Sequence, residues 1–153
     1  MDKSQLRELI KETLIGIDLY SLDAEELIMA TIAQESAMGK YLKQITGQAM
    51  GITQIELPTF KSHLKWLKLE KNKTLLNKII KECNIIELTH DALVYNLKFS
   101  IAMCRVHYYR VPKELPENTN IERMWLYYKK YYNSYLGAAT KEQFYTNYKR
   151  YVL

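Results

Sequence analysis

Ala33-Gln34-Glu35-Ser36, and a few residues later Gly47-Gln48-Ala49-Met50-Gly51-Ile52-Thr53-Gln54-Ile55, form the stretch on which the reading of this chain turns. Three of the five glycines, Gly39, Gly47 and Gly51, fall in this short window. The rest of the sequence reads as packed helices, where glycine is costly. Here the backbone must turn tightly or let something approach closely.

The residues just before the stretch sharpen the point. Asp23 with Glu26 three positions on predicts a helix N-cap with its reciprocal box, opening a helix over 23–38 that Gly39 ends. Ile28, Thr31, Ile32 and Glu35 then recur at i, i+3, i+4 and i+7, which is one helical face. Glu35 therefore projects on the side its helix buries. A carboxylate taken out of water either finds a partner or keeps its proton. A structural ion pair or a capped loop amide satisfies the first condition. A general acid, which must hold a proton near neutral pH, satisfies the second.

Outward from this point the chain predicts a mainly α fold, a single domain over 1–153. Leu6, Leu9, Ile10, Thr13, Leu14 and Ile17 keep helical spacing before Gly16 and the 18–21 segment close the first helix. Residues 41–56 lack a long period and predict a loop or small β-hairpin. Pro58 suits the first turn of a new helix with Phe60, Leu64 and Leu67 inside and Trp66 off the stripe. Leu75 to Cys83 marks another. Asp91 heads a helix carrying Leu93, Leu97, Ile101, Cys104 and Tyr108. Pro112 and Pro116 break the pattern before a helix over 120–132, and Thr140 with Gln143 caps the last one, lined by Phe144, Tyr148 and Tyr151.

Composition bounds the function classes. The net charge of +5 suggests an anionic partner, whether nucleic acid, phospholipid or wall polymer. Seven Lys against two Glu lie between Lys61 and Glu82, and five basic residues against Glu142 between Lys129 and Arg150. Solvated helix faces account for both. Cys83 and Cys104 have no metal-type spacing and sit on apolar stripes, which predicts buried free thiols, and the three His are scattered. No metal or cofactor is expected. No apolar run is long enough to span a bilayer. The charged N-terminus does not read as a secretory signal, so action at the periplasm or cell wall would need another export route. Thirteen Tyr are unusual; most read as core, with polar edges that also suit sugar faces.

Glu35-Ser36, the short loop, Gly47-Gln48-Ala49-Met50-Gly51-Ile52-Thr53-Gln54-Ile55 and Pro58-Thr59 together resemble the soluble lytic transglycosylase and goose-type lysozyme families, whose lysozyme-like pattern is Glu-Ser followed by Gly-Ala-x-Gly-Leu-Met-Gln-Ile/Val. Gln48 replaces the first Gly, and Ile52-Thr53 stand for Leu-Met. Asp91 to Asn96 is similar to the Asp-Pro-x-x-Asn-Ile element, with Ala92 departing from it. Tyr132-Asn133 resembles the Tyr-Asn pair beside the catalytic Glu, and its surroundings look like phage-type members. The resemblance implies cleavage of the MurNAc-β-1,4-GlcNAc bond of a peptidoglycan glycan strand. Glu35 would be the general acid and base, with Ser36, Gln48, Gly51, Gln54, Tyr132 and Asn133 binding substrate or orienting the acid. Glu56, where goose-type lysozymes carry an acidic residue, is a candidate second carboxylate for a hydrolase; a surface Glu ahead of Pro58 is the plainer reading. A basic helical nucleic-acid binder or an inactive wall-binding relative is the alternative, although the glycine-rich loop and inward Glu35 argue against nucleic acid.

Overall fold

The computed structural model describes residues 1–133 and 137–153. Helix α1 (Lys3–Gly16) starts from Asp2, whose carboxylate accepts from the backbone amides of Ser4 and Gln5. Helix α2 (Leu22–Ser36) starts from Ser21, not Asp23. Ser21 accepts from the Ala24 amide. Asp23 is instead drawn across to Asn118, accepting from its backbone and side-chain nitrogens at 2.8 Å each.

Helix α2 is buried along most of its length and is the axis of the molecule. Leu27, Ile28, Met29, Ile32 and Ala33 are all sealed from solvent, and α1, α6, α7 and α8 all pack on it. Its two acidic residues on the α1 side, Glu25 and Glu26, are both answered by Arg7, at 3.0 and 2.6 Å. Tyr20 and Tyr148 donate to the same carboxylates. Apolar packing all round, with each buried charge matched, fixes the register of α2 and hence where its last turn points.

Helices α3 (Leu57–Leu67), α4 (Lys73–Cys83), α5 (Ala92–Tyr95), α6 (Leu97–Tyr109), α7 (Ile121–Tyr128) and α8 (Lys141–Tyr151) complete the mainly helical fold. A 3₁₀ turn, Glu70–Asn72, joins α3 to α4. Pro58 lies in the first turn of α3, and Thr140 with Gln143 makes the reciprocal capping box of α8. Both cysteines are buried and free. Among the described residues no helix is long and apolar enough to cross a membrane.

Two expectations need correcting. The helix predicted from Asp91 is two: Asn96 leaves the helical conformation, accepts from the Phe99 amide and donates to the Cys83 carbonyl, both at 2.9 Å. It thus starts α6 while tying it to the end of α4. The helix predicted over 120–132 is α-helical only to Tyr128 and continues as a π-type turn, Lys129–Asn133. Residues 41–56 form the expected loop, drawn together by two isolated antiparallel bridges, Lys43 with Met50 and Met50 with Ile55. Left-handed backbone at Gly51 (φ 84°) and Gln54 (φ 50°) folds the chain too tightly for a ladder.

Candidate active site

Glu35 sits in the last turn of α2. The helix ends there because Ala37, Met38 and Gly39 are all left-handed, at φ 50°, 59° and 82°. Ser36 holds that exit: fully buried, it donates to the Ile32 carbonyl at 3.1 Å and accepts from the Gly39 amide at 2.9 Å. It shapes the turn after Glu35, so of the two roles the resemblance implied its geometry suits orienting the acid, and its burial leaves no face toward a substrate.

The loop that follows wraps back beneath the carboxylate. Gly51 is required there twice over. Its φ of 84° disfavours any side chain, and a Cβ would stand 2.6 Å from Ser100 Oγ and 2.7 Å from the Leu93 carbonyl. Thr53, in the place of the family's Met, is buried with its hydroxyl 3.1 Å from that of Ser100. A polar residue is therefore accommodated without an unsatisfied group. Gln54 folds its amide onto the Gly51 carbonyl at 2.8 Å.

The opposite wall is aromatic. Tyr128 donates its hydroxyl to Glu35 Oε1 at 2.5 Å. One turn earlier on the same face of α2, Thr31 pairs with the Tyr108 hydroxyl at 2.7 Å. Tyr132 stacks on Tyr128, ring centres 5.9 Å apart, and donates to the Thr53 carbonyl at 2.6 Å. The two tyrosines, four residues apart, thus divide the work: Tyr128 holds the acid and Tyr132 pins the glycine-rich loop. The resemblance assigned the acid to Tyr132-Asn133. The π-type turn lies here, as such turns do at functional sites. Lys129 fastens it, donating to Asn133 Oδ1, Gly137 O and Ala139 O at 2.8, 2.8 and 2.9 Å. All three ammonium hydrogens are used, and the Asn133 amide is oriented by them.

A groove of about 720 Å³ opens over these residues. Glu35, Gln54, Glu56, Tyr128, Tyr132 and Asn133 all line it, although the last pair is far from Glu35 in sequence. Gln48 is exposed and does not line it; Gln44 and Ala49 take that part of the wall. Gly51 is buried behind the lining and acts through its backbone. Glu56 is exposed, precedes α3 and makes no side-chain cap bond.

Electrostatics single out Glu35. Loss of water around its half-buried carboxyl pushes its pKa up to about 7; the hydrogen bond from Tyr128 opposes the shift and the charge of Glu56 adds to it. Its other oxygen has no hydrogen bond to any described residue. The group is thus poised between protonated and ionised at neutral pH, with one oxygen fixed and one turned to the groove.

Two histidines that are scattered in the sequence meet beside the groove, His107 lining it and His63 behind. Arg110 donates to His63 Nδ1 at 2.9 Å, His63 Nε2 lies 2.9 Å from His107 Nδ1, and His107 Nε2 lies 2.6 Å from the Tyr131 carbonyl. A guanidinium only donates, so the direction of the chain is forced: both rings are neutral and each carries its hydrogen on Nε2. His107 also faces Tyr132, ring centres 4.5 Å apart. Tyr128, Lys129 and this histidine pair are the site residues sequence reasoning missed. The i, i+4 spacing of Tyr128 and Tyr132 was the one available signal.

Among the described residues no group of three His, Cys, Asp or Glu is placed to hold a metal ion. No family model, curated protein or solved structure matches the chain.

Proposed function

We propose that this protein is a peptidoglycan-cleaving lytic transglycosylase in which Glu35 is both general acid and general base. The supporting observation is a carboxyl with its pKa raised to about 7, anchored by Tyr128 through one oxygen and facing an open groove with the other. A positioned acid of matched pKa contributes roughly 10²–10⁴-fold to rate. In this reading Glu35 gives its proton to the glycosidic oxygen between MurNAc and GlcNAc, and the C–O bond breaks with GlcNAc leaving as the alcohol. The resulting carboxylate then takes the proton of the muramic 6-hydroxyl as that oxygen bonds to C1, closing a 1,6-anhydro ring. The proton returns to Glu35 and no water is consumed. Gln54, Asn133 and the tyrosine edges supply the polar contacts for the sugars.

Glu56 favours a second reading. It lines the same groove and its charge acts on Glu35. A muramidase would use it to activate water, in a geometry that separates acid and base by roughly 6.5–9.5 Å. Mass spectrometry of purified cell walls digested by the protein separates the readings. Anhydromuramic ends support ring closure, and reducing muramic ends that vanish in Glu56→Gln support hydrolysis. Walls left intact by the native protein overturn both and leave a binding module.

A further inference from the structure

Arg105 presents a problem the groove does not explain. It lies on α6 two residues before His107, hence nearly on the opposite face of the helix. The residue is only 8% exposed. Its Nε donates to the Leu19 carbonyl at 2.9 Å, and the guanidinium lies 5.7 Å from the centre of the Tyr109 ring. Its Nη1 is buried with no hydrogen-bond partner among the described residues, and no carboxylate forms an ion pair with it there. Stripping water from it pulls its pKa below the usual arginine value. A buried guanidinium left without a counter-charge is unfavourable on general grounds. Such orphaned groups call for a partner.

Beside it is an open surface pocket of about 430 Å³, separate from the groove. Arg105 and Tyr108 line it, with Tyr109, Val111, Pro112 and Leu115 supplying its apolar share and the exposed Lys113 a second cation. The volume falls in the range of small-ligand sites. The only acidic residue among those lining it, Glu114, is exposed and is not paired with Arg105.

We propose that this pocket binds an organic carboxylate with a small apolar body. The carboxylate takes the open guanidinium donors of Arg105, and the body lies against Tyr109, Val111 and Leu115. Arginine's planar fork suits a carboxylate's two oxygens. The apolar walls favour such a ligand over a bare, strongly hydrated phosphate, which would lose its water against Pro112 and Leu115 without replacement. The site stands independently of the wall-cleaving reading, because no residue of the groove takes part.

The test is a titration of the full chain with sodium benzoate, and separately with inorganic phosphate, followed by the side-chain Nε–H NMR signal of Arg105 and the ring signals of Tyr109. Benzoate should move both saturably, and phosphate should not. Arg105→Met, which removes the unmatched charge while keeping the stem, should weaken benzoate about tenfold or more, the loss expected for a charge-assisted hydrogen bond. Leu115→Trp, which fills the pocket and leaves Arg105 in place, should do the same. Glu114→Gln should bind benzoate at least as well as the native chain. The proposal is overturned if benzoate gives no saturable shift, if the response persists in both pocket variants, or if phosphate binds equally. It is equally overturned if benzoate binds Glu114→Gln and not the native chain, because the chain's own carboxylate would then be the partner of Arg105.

Discussion

Glu35 accepts one hydrogen bond among the described residues, from Tyr128, and leaves its second oxygen to the groove; His107, which lines the groove, and His63 behind it have all four ring nitrogens engaged. Both regions hold ionisable groups removed from water, and burial is the largest influence on each. It raises the Glu35 pKa to about 7 and lowers that of His63 to about 3, where the neighbouring His107 and Arg110 push the same way. Both therefore favour the neutral form. The difference lies in what is left over. The histidine chain starts at a guanidinium and ends at a carbonyl, with no valence free, so it serves as a strut between α3, α6 and the π-type turn. The acid has a free oxygen and a proton near balance. A buried ionisable group is read as structural or chemical by its unsatisfied valence, more than by its shift.

The largest effect that tests this contrast is on activity. Glu35→Gln should lower wall clearing by about 10³-fold or more, given what a general acid supplies. His63→Leu, outside the groove, should lose stability and keep its rate per folded molecule. It leaves the half-buried His107 Nδ1 unmatched, at about 1–3 kcal/mol, while the exposed Arg110 is satisfied by water. Zymography with matched amounts of folded protein, set against urea unfolding, separates the two. A Glu35→Gln protein that clears walls at the native rate would remove the distinction altogether.

The next effect is on stability and depends on pH. Glu35 has a folded pKa above its unfolded value of 4.5, so the native state holds the extra proton between pH 4.5 and about 7. Stability is lost as pH rises through that window. Glu35→Gln removes the loss and should be the more stable protein at pH 8, by up to about 3 kcal/mol, while matching the native chain near pH 4. His63 has the reverse sign. Its folded pKa lies below its unfolded 6.5, so stability falls as pH drops from 6.5 toward 3, and His63→Leu should flatten that acid side. Urea midpoints across pH 4–8 for the three proteins check both slopes. Parallel curves would mean that neither group is buried as described.

How much of this was legible beforehand follows the range of the interactions. The inward face of α2 and the placing of Glu35 on it came from local periodicity, as did the glycine-rich turn and the capping box at Thr140. The start of α2 did not, because Asp23 is claimed by Asn118 far along the chain. Nor did the break at Asn96, which exists because its side chain also reaches Cys83. The histidine chain was invisible for the same reason: His63 and His107 lie on different helices and meet only once α3 packs on α6. Tyr132 was singled out through the Tyr-Asn resemblance and Tyr128 was not, although the two are four residues apart; which of them meets Glu35 depends on how the π-type turn packs on α2. Ser36 was assigned to substrate or to orienting the acid, and Gln48 to substrate, by analogy of position. The fold turns the first inward to hold the helix exit and leaves the second on the outside.

The finest test concerns the two groups that act on Glu35 with opposite sign. Tyr128 donates to the carboxyl and so favours its ionised form; the charge of Glu56 disfavours it. If Glu35 must carry its proton to act, kcat/KM should fall on the alkaline side with a midpoint near 7, set by Glu35 in the free enzyme. Tyr128→Phe should move that limb to higher pH, and Glu56→Gln should move it to lower pH, each by a fraction of a unit. Tyr128→Phe should also slow the reaction by up to about tenfold, the worth of one positioning hydrogen bond. Glu56→Gln should leave the plateau rate unchanged in a transglycosylase and abolish it in a hydrolase that draws on Glu56 for water. The sign of the two displacements is the diagnostic. A merely structural role for Tyr128 predicts a lower plateau with an unmoved limb. Shifts in the same direction would mean that loosened packing, not these two contacts, governs the acid.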